Sequence, residues 1–241
     1  MRVQVAVVIP AFNEEASIGR VLAAIPDAYA GGVVVVNNGS TDATADVARR
    51  AGATVVDEPE RGYGSACLAG IAAARTWGPE VLVFLDGDYS DYPEQMPLLV
   101  EPILSGEADF VIGSRMRGRA ERGALLPQAR FGNWLAGKLM RLGWGAEFTD
   151  LGPFRAIRFE TLERLGMEDR NYGWTVEMQI KAVEAGLKCL EVPVDYRPRI
   201  GESKITGTVR GTVGASIKIL TVLGRYWVTR GRRTYEVQAP D

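Results

Sequence analysis

The stretch Val81-Leu82-Val83-Phe84-Leu85-Asp86-Gly87-Asp88 decides which fold this chain is expected to adopt. A short apolar run rich in branched and aromatic residues predicts a strand buried on both faces. Two carboxylates follow it, at the edge where open α/β sheets bind ligands. Close carboxylates repel each other unless a cation lies between them, and Mg²⁺ and Mn²⁺ prefer oxygen ligands. Asp86 and Asp88 are therefore candidate metal ligands, and a polar turn without metal is the alternative.

Similar apolar runs end in polar loops elsewhere in the first half of the chain. Residues 3–9 and 33–36 predict buried strands, and the loops 10–15 and 37–42 follow them. Strands and alanine-rich helices alternate at the spacing of βα units, so residues 1–110 are expected to form a parallel, doubly wound layer. Because parallel strands end at one edge, these loops and the one after Leu85 should converge on one crevice.

Composition narrows the possible functions. The chain has 241 residues, is 46% hydrophobic and carries a formal net charge of -2, which is typical of a globular protein that is not built to attract nucleic acid. It contains no histidine, which excludes Ser-His-Asp hydrolysis and histidine-ligated zinc. The sequence shows no secretory signal and no run of ~18 apolar residues. We therefore expect a cytoplasmic protein.

The second half carries two basic loops and two amphipathic segments. Four arginines fall within residues 115–122 between glycines, which suggests a mobile basic loop, with a solvated surface loop as the alternative. Residues 125–142 predict an amphipathic helix, and residues 197–204 form a second basic loop. The segment 208–228 has helical periodicity, and its sequence leaves two interpretations open, packing on the domain or lying on a membrane.

Five motifs occur in a fixed order along the chain. They are Pro10-Ala11-Phe12-Asn13-Glu14, Asn38-Gly39-Ser40-Thr41-Asp42, Asp86-Gly87-Asp88, residues 150–155 and Gly201-Glu202-Ser203-Lys204. Together they resemble the family 2 glycosyltransferases of GT-A fold over nearly the whole chain. The Gly-x-Ser-Lys element resembles the branch that transfers mannose or glucose to dolichyl and other polyprenyl phosphates.

The resemblance implies an α/β GT-A fold with a doubly wound, mostly parallel central sheet flanked by helices. The chain would form one domain, 1–241. Within it, residues 1–110 would bind the nucleotide sugar, residues 111–196 would form the acceptor half, and residues 197–241 would hold the basic loop and an amphipathic helix.

The implied function is an inverting, metal-dependent transfer of a hexose from a UDP- or GDP-linked sugar to a polyprenyl phosphate. Two alternatives are transfer to a soluble hydroxyl or phosphorylated acceptor, and a non-catalytic nucleotide-sugar-binding module. Nucleic acid is not an expected partner. Peripheral contact with the inner face of the membrane is expected. By resemblance, Mg²⁺ or Mn²⁺ would be held by Asp86 and Asp88. The residues implied for the nucleotide sugar are Pro10, Phe12, Glu14, Asn38, Asp42, Gly64, Asp86 and Gly87.

The acceptor decides which catalytic groups are needed. A phosphate monoester, with a second pKa of about 6, is already mostly dianionic at neutral pH and needs no strong base. Guanidinium groups bind such a dianion in a bidentate way, and the basic candidates are Arg115, Arg130, Arg199 and Lys204. A hydroxyl acceptor would instead need a carboxylate base, for which Asp150 is the best candidate.

Three residues depart from the family pattern. Asn37-Asn38 replaces two aspartates, and Ser90 stands where relatives often carry a glutamine near the metal. These departures leave the donor preference and the third metal ligand open.

Overall fold

Strands and helices alternate along the chain in a computed structural model that describes residues 4–201 and 209–230. The strands are β1 (Val5–Ala11), β2 (Val33–Asn37), β3 (Thr54–Asp57), β4 (Val81–Phe84), β5 (Phe110–Ser114), β6 (Arg155–Arg158) and β7 (Cys189–Pro193). The helices are α1 (Ile18–Ala24), α2 (Asp27–Ala30), α3 (Thr44–Arg50), α4 (Tyr63–Arg75), α5 (Pro97–Leu104), α6 (Pro127–Trp144), α7 (Phe159–Leu165), α8 (Trp174–Glu184) and α9 (Val209–Val228), with a 3₁₀ turn at Pro93–Gln95.

The seven strands form one sheet in the order β3-β2-β1-β4-β6-β5-β7. The first four strands are parallel, as expected from the βα spacing. β6 is inserted antiparallel between β4 and β5, while β7 runs parallel to β5. The α/β fold with a mostly parallel sheet is thus confirmed, and the sheet continues from the first half of the chain into the second.

The central strands are buried on both faces. Alternate residues of a strand point to opposite sides of the sheet, and β4 has no exposed residue on either side. Val8 and Phe84 contribute to the core on one face, whereas Val7 and Val83 contribute to the core on the other. Helices cover both faces, so the ends of the strands are where polar side chains reach a crevice.

The elements of the second half differ from the sequence expectations mainly at their ends. The helix expected at 125–142 is α6, and the described part of the segment 208–228 is α9. The residues 190–196 predict a last strand, and the strand found there, β7, ends at Pro193. Tyr196 instead forms isolated bridges with Asp91 and Ala120, joining two loops. Within the described residues, we find no helix with the length and apolarity required to span a bilayer.

Candidate active site

A cavity of about 410 Å³ opens at the carboxyl ends of β1, β2 and β4. The loops after these strands converge there, as the sequence predicts. Nine of the expected site residues line it, namely Pro10, Phe12, Glu14, Asn38, Asp86, Gly87, Asp88, Arg115 and Arg199. The lining also includes Arg61, Tyr63, Asn171, Tyr172 and Tyr196, which the sequence did not single out.

Asp88 is fixed by its neighbours at the floor of this cavity. Its Oδ1 accepts hydrogen bonds from the amide and the hydroxyl of Ser90, at 2.9 and 2.5 Å. Its Oδ2 lies 3.1 Å from Nη1 of Arg199. Ser90 therefore orients Asp88.

Asp86 is the more perturbed of the two carboxyl groups. Burial, reinforced by the nearby carboxylates of Asp88 and Asp91, raises the pKa of Asp86 well above its usual range, although Arg199 and Arg115 oppose the shift. A neighbouring cation would favour the ionised carboxylate of Asp86, because positive charge stabilises the negatively charged form.

Arg199 bridges two carboxylates across the cavity. Its Nη2 lies 2.7 Å from Oε1 of Glu14, and its Nη1 contacts Asp88. The amide of Ile200 donates to the carbonyl of Asp88 at 2.9 Å, so the loop that carries Arg199 is attached to the acidic loop.

Arg197 attaches the same two loops at a second point. Its guanidinium lies 3.3 Å from the ring centre of Tyr89, and its Nε donates to the Tyr89 carbonyl at 2.6 Å. Tyr89 has a φ of 64°, a left-handed conformation that costs energy for a residue other than glycine. The contacts of Arg197 help to hold this bend, which positions the carboxylate of Asp88.

Asn38 and Arg61 shape the opposite wall of the cavity. Nδ2 of Asn38 donates to the carbonyls of Glu58 and Glu60 at 3.0 and 2.8 Å, and its Oδ1 accepts from the amide of Gly62 at 2.8 Å. These bonds occupy both amide hydrogens, so Asn38 fixes the 58–62 loop. That loop places the guanidinium of Arg61 4.3 Å from the ring centre of Phe12.

Arg115 reaches the cavity from β5 and is held by a carboxylate behind it. Oδ2 of Asp150 accepts from the amide and Nε of Arg115 at 2.8 and 2.9 Å, and Oδ1 accepts from Nη2 at 2.7 Å. Nδ2 of Asn133 also donates to Oδ1, at 2.7 Å. Burial opposes the charge on Arg115, yet Asp150 raises the pKa of this guanidinium well above its usual value.

Asp150 is buried beneath the site and does not line the cavity. Its amide donates to Glu191 at 3.1 Å, and Glu191 also accepts from the amide and the hydroxyl of Thr149. Burial raises the pKa of Glu191, and these hydrogen bonds oppose the shift. With both oxygens of its carboxylate engaged, Asp150 is arranged to orient Arg115.

Four other expected site residues do not reach the cavity lining or cannot be placed. Asp42 accepts from the amide and hydroxyl of Thr44 at the start of α3. Gly64 lies in the first turn of α4, where a side chain would collide with the carbonyl of Asp169. Arg130 is exposed on α6 and donates to the Leu125 carbonyl at 3.4 Å. Lys204 lies outside the described residues.

Hydrogen bonds anchor the basic loop 115–122, for which the sequence suggests either a mobile loop or a solvated surface loop. Besides the contacts of Arg115, Nη1 of Arg117 donates to the Glu191 carbonyl. The amide of Arg119 donates to Asp195 at 3.2 Å. These anchors hold the loop against β7 and the residues after it.

The acidic loop offers two carboxylates to a metal. Within residues 4–201 and 209–230, no three histidine, cysteine or acidic side chains form a ready metal cage. Mg²⁺ is nevertheless commonly held by one or two carboxylates together with substrate phosphates and water. Asp86 and Asp88 fit this mode, because both are oxygen donors that face the cavity.

Comparisons with known proteins agree with this geometry. The model of the family described as "Glycosyl transferase family 2" matches residues 6–166. An uncharacterised glycosyltransferase of Mycobacterium tuberculosis (strain ATCC 25618 / H37Rv) is 40% identical over 221 residues, covering 91% of this chain and 97% of that protein. The undecaprenyl-phosphate mannosyltransferase of Micrococcus luteus is 34% identical over 239 residues, covering 92% of this chain and 94% of that enzyme.

A solved structure shares the fold. Glucosyl-3-phosphoglycerate synthase from Mycobacterium tuberculosis, in complex with Mn²⁺, UDP and phosphoglyceric acid, superposes with a TM-score of 0.73 at 25% sequence identity. The match covers 93% of this chain and 78% of that one.

Proposed function

We propose that this chain, which belongs to glycosyl transferase family 2, moves a hexose from a nucleoside diphosphate sugar to a polyprenyl phosphate. One observation carries the proposal. In a single cavity, the carboxylates of Asp86 and Asp88 lie close to the guanidinium groups of Arg115 and Arg199. Carboxylates suit a metal-bound diphosphate, and guanidinium groups suit a phosphate acceptor.

The donor would occupy the side of the cavity formed by the first four strands. Phe12, Glu14 and Asn38 line that side, where the nucleoside would lie. Asp86 and Asp88 would hold Mg²⁺ or Mn²⁺, as the Mn²⁺ and UDP bound by the structural relative also suggest. When bound, the cation supplies positive charge that offsets the charge growing on the leaving diphosphate.

The acceptor phosphate would be oriented by Arg115. A phosphate dianion is already nucleophilic, so the protein must place it in line with the anomeric carbon. The contacts with Asp150 fix the direction of the Arg115 guanidinium and support this placement. A single in-line displacement inverts the anomeric centre, so the product anomer tests this step.

An exposed apolar surface favours a lipid acceptor. Phe131 and Trp134 of α6 are exposed, as are Ile217 and Val228 of α9, and the two helices pack together through the edge-on contact of Trp144 with Trp227. Neither helix contains an acidic residue. Basic helices with exposed aromatic and aliphatic side chains are suited to the surface of an anionic membrane, and the relative from Micrococcus luteus is named for an undecaprenyl-phosphate acceptor.

A soluble phosphorylated acceptor is the second candidate. The structural relative is named for glucosyl-3-phosphoglycerate synthesis and was solved with phosphoglyceric acid. Arg115 would serve such an acceptor equally well, because both acceptors present a phosphate monoester.

Product partitioning separates the two candidates. The purified chain is incubated with radiolabelled UDP- or GDP-hexoses and Mn²⁺, together with undecaprenyl phosphate in detergent or with 3-phosphoglycerate. The proposal expects label in the organic phase that disappears with EDTA. Label found only in the aqueous phosphorylated product would select the second candidate. A donor that is bound but stays intact with every acceptor would identify a non-catalytic binding module.

A further inference from the structure

The 168–173 loop, between α7 and α8, forms a wall between two cavities. On one side, Asn171 and Tyr172 line the donor cavity. On the other side, Asp169 and Arg170 line a smaller cavity of about 150 Å³, whose far wall is α9. The loop therefore has open space behind it, and its position depends on the contacts that anchor it.

The start of α4 anchors one side of the loop. The amide of Ser65 donates to the carbonyl of Arg170 at 3.0 Å, and the Ser65 hydroxyl donates to the same oxygen at 3.3 Å. The two backbone segments approach so closely that a side chain at Gly62 or Gly64 would collide with the loop backbone. This contact explains the glycines on either side of Tyr63 without assigning them to the nucleotide.

Asp169 organises the interior of the loop. Its Oδ1 accepts from the amides of Asn171 and Gly173 at 2.8 and 3.1 Å. Its Oδ2 lies 2.8 Å from Nζ of Lys218 on α9, and the Asp169 side chain is only 9% exposed. The carboxylate that fixes the two amides is thus itself fixed by a helix outside the donor cavity.

Glu177 makes a second connection between the loop and α9. It accepts from the amides of Glu168 and Asp169, at 3.0 and 2.7 Å. The hydroxyl of Tyr226 on α9 donates to Glu177 at 3.0 Å. Lys181 balances the buried charge of Glu177, with its Nζ 2.9 Å away. These contacts connect the loop backbone to both α8 and α9.

We propose that Lys218 is a positioning residue for the donor site, acting through Asp169 to hold Asn171 and Tyr172 against the bound nucleotide. The proposal rests on the proposed function for the identity of the ligand, but the loop contacts are independent of it. It assigns to α9 a role in donor affinity in addition to its exposed apolar surface.

The experiment compares Lys218→Met with Arg225→Met, a matched change on the same helix. Arg225 lies 3.7 Å from Glu168, and both side chains are about two-thirds exposed, so its removal should leave the loop in place. Hydrogen–deuterium exchange of the peptide spanning 168–173 reports loop order without any ligand. Affinity for UDP with Mn²⁺, and the donor KM and kcat, report its effect on the site.

Lys218→Met should speed exchange at the amides of Asn171 and Gly173. It should also weaken UDP binding and raise the donor KM by about tenfold, with a smaller change in kcat. Lys218→Arg should keep the exchange rate of the loop and the affinity for UDP at the wild-type level, because a guanidinium can pair with Asp169. Arg225→Met should match the wild type.

Several outcomes would overturn the proposal. Unchanged exchange in Lys218→Met would show that the lysine does not order the loop. Faster exchange with unchanged UDP affinity would show that the loop does not set donor binding. If the wild-type chain binds no nucleotide with Mn²⁺, the proposed function fails, and the exchange data still decide whether Lys218 orders the loop. Should Lys218→Met fail to fold, Lys218→Gln, which removes the charge but keeps a polar side chain, provides the same comparison.

Discussion

The two sides of the cavity hold their charges in different ways. On the donor side, Asp88 and Glu14 share a single arginine, Arg199, which approaches them from a loop and is 26% exposed. On the acceptor side, Arg115 is held by three hydrogen bonds to Asp150, whose side chain is 0% exposed. One side thus has carboxylates facing the ligand, and the other has its carboxylate hidden behind the cation.

This difference shows which charges are available to a ligand. An arginine that is partly exposed and shared between two carboxylates can exchange partners at lower cost than a fully buried pair, because water screens part of the interaction. Asp86 and Asp88 therefore remain able to bind a cation. A buried pair is costly to break, so Arg115 keeps a constant direction and presents its outer edge to an anion. The cavity combines an adjustable metal side with a fixed phosphate side.

The largest effect should come from breaking the buried pair. Asp150→Asn removes the charge behind Arg115 and places an amide among donors, which should cost about 3–5 kcal/mol of unfolding free energy. For a chain of this size, the melting temperature should fall by roughly 10 °C. Thermal unfolding followed by circular dichroism measures this change.

The matched change on the donor side is Arg199→Ala. Arg199 is 26% exposed while Glu14 and Asp88 are 11% and 8% exposed, so the loss should be smaller than for Asp150→Asn, at about 1–3 kcal/mol. Equal destabilisation by the two variants would contradict the contrast between a fixed and an adjustable side.

The next largest effect should be a loss of turnover when the charge of Asp88, on the donor side, is removed. Asp88→Asn keeps an oxygen acceptor for Ser90 but removes the negative charge, so turnover should fall by about 10²-fold or more, if the cation supplies several kcal/mol of transition-state stabilisation. Initial rates across a Mn²⁺ titration measure the loss. Asp46→Asn, at an exposed position on α3, is the control. Near-normal activity of Asp88→Asn would refute the assignment of Asp88 as a metal ligand.

The donor side was more predictable from sequence than the acceptor side. β4 is a continuous apolar run that ends in Asp-Gly-Asp, and the periodic spacing of its neighbours predicts parallel strands that end at one edge. Local pattern thus determines where Asp86, Asp88 and Asn38 lie. The same reasoning did not reveal that the amide of Asn38 is directed at the 58–62 loop, because those contacts depend on where a distant loop turns.

The acceptor side depends on contacts between residues far apart in the chain. β6 pairs antiparallel with β4 across more than seventy positions, and its short sequence carries no periodicity that could predict this pairing. Arg155 in β6 is fully buried, with its guanidinium donating to the carbonyls of Gly152 and Thr175. Asn171 and Tyr172 enter the cavity on a loop that lacks a motif. Only the tertiary structure shows that Asn171 and Tyr172 line the cavity.

The unfolding free energy should depend on pH through the carboxyl group of Asp91, between the donor and acceptor sides of the cavity. Asp91 is buried, and among the described residues neither of its carboxyl oxygens has a hydrogen-bond partner. Burial raises the pKa of Asp91 to about 7, despite the opposing charge of Arg115. The unfolded chain releases this proton near pH 4, so between about pH 4 and 7 the folded state binds more protons and its stability falls as pH rises.

Asp91→Asn should remove this loss. In EDTA, the unfolding free energy of Asp91→Asn should rise relative to that of the wild type by up to about 1.4 kcal/mol per pH unit between pH 5 and 7. Above pH 7 the difference should level off. Urea unfolding at four or five pH values measures the difference. A constant difference across this range would show that Asp91 is ionised throughout.

The smallest effect should come from the amide that shapes the nucleoside wall. Asn38→Asp converts two donated hydrogen bonds into repulsion between a carboxylate and the carbonyls of Glu58 and Glu60, whereas Asn38→Ala only loses the bonds. The donor KM should therefore rise by about tenfold in Asn38→Asp, equal to about 1.4 kcal/mol, and by less in Asn38→Ala. Steady-state kinetics at saturating acceptor give this ranking. If Asn38→Asp bound the donor as well as the wild type, the hydrogen bonds from Asn38 to the 58–62 loop would not shape the nucleoside wall.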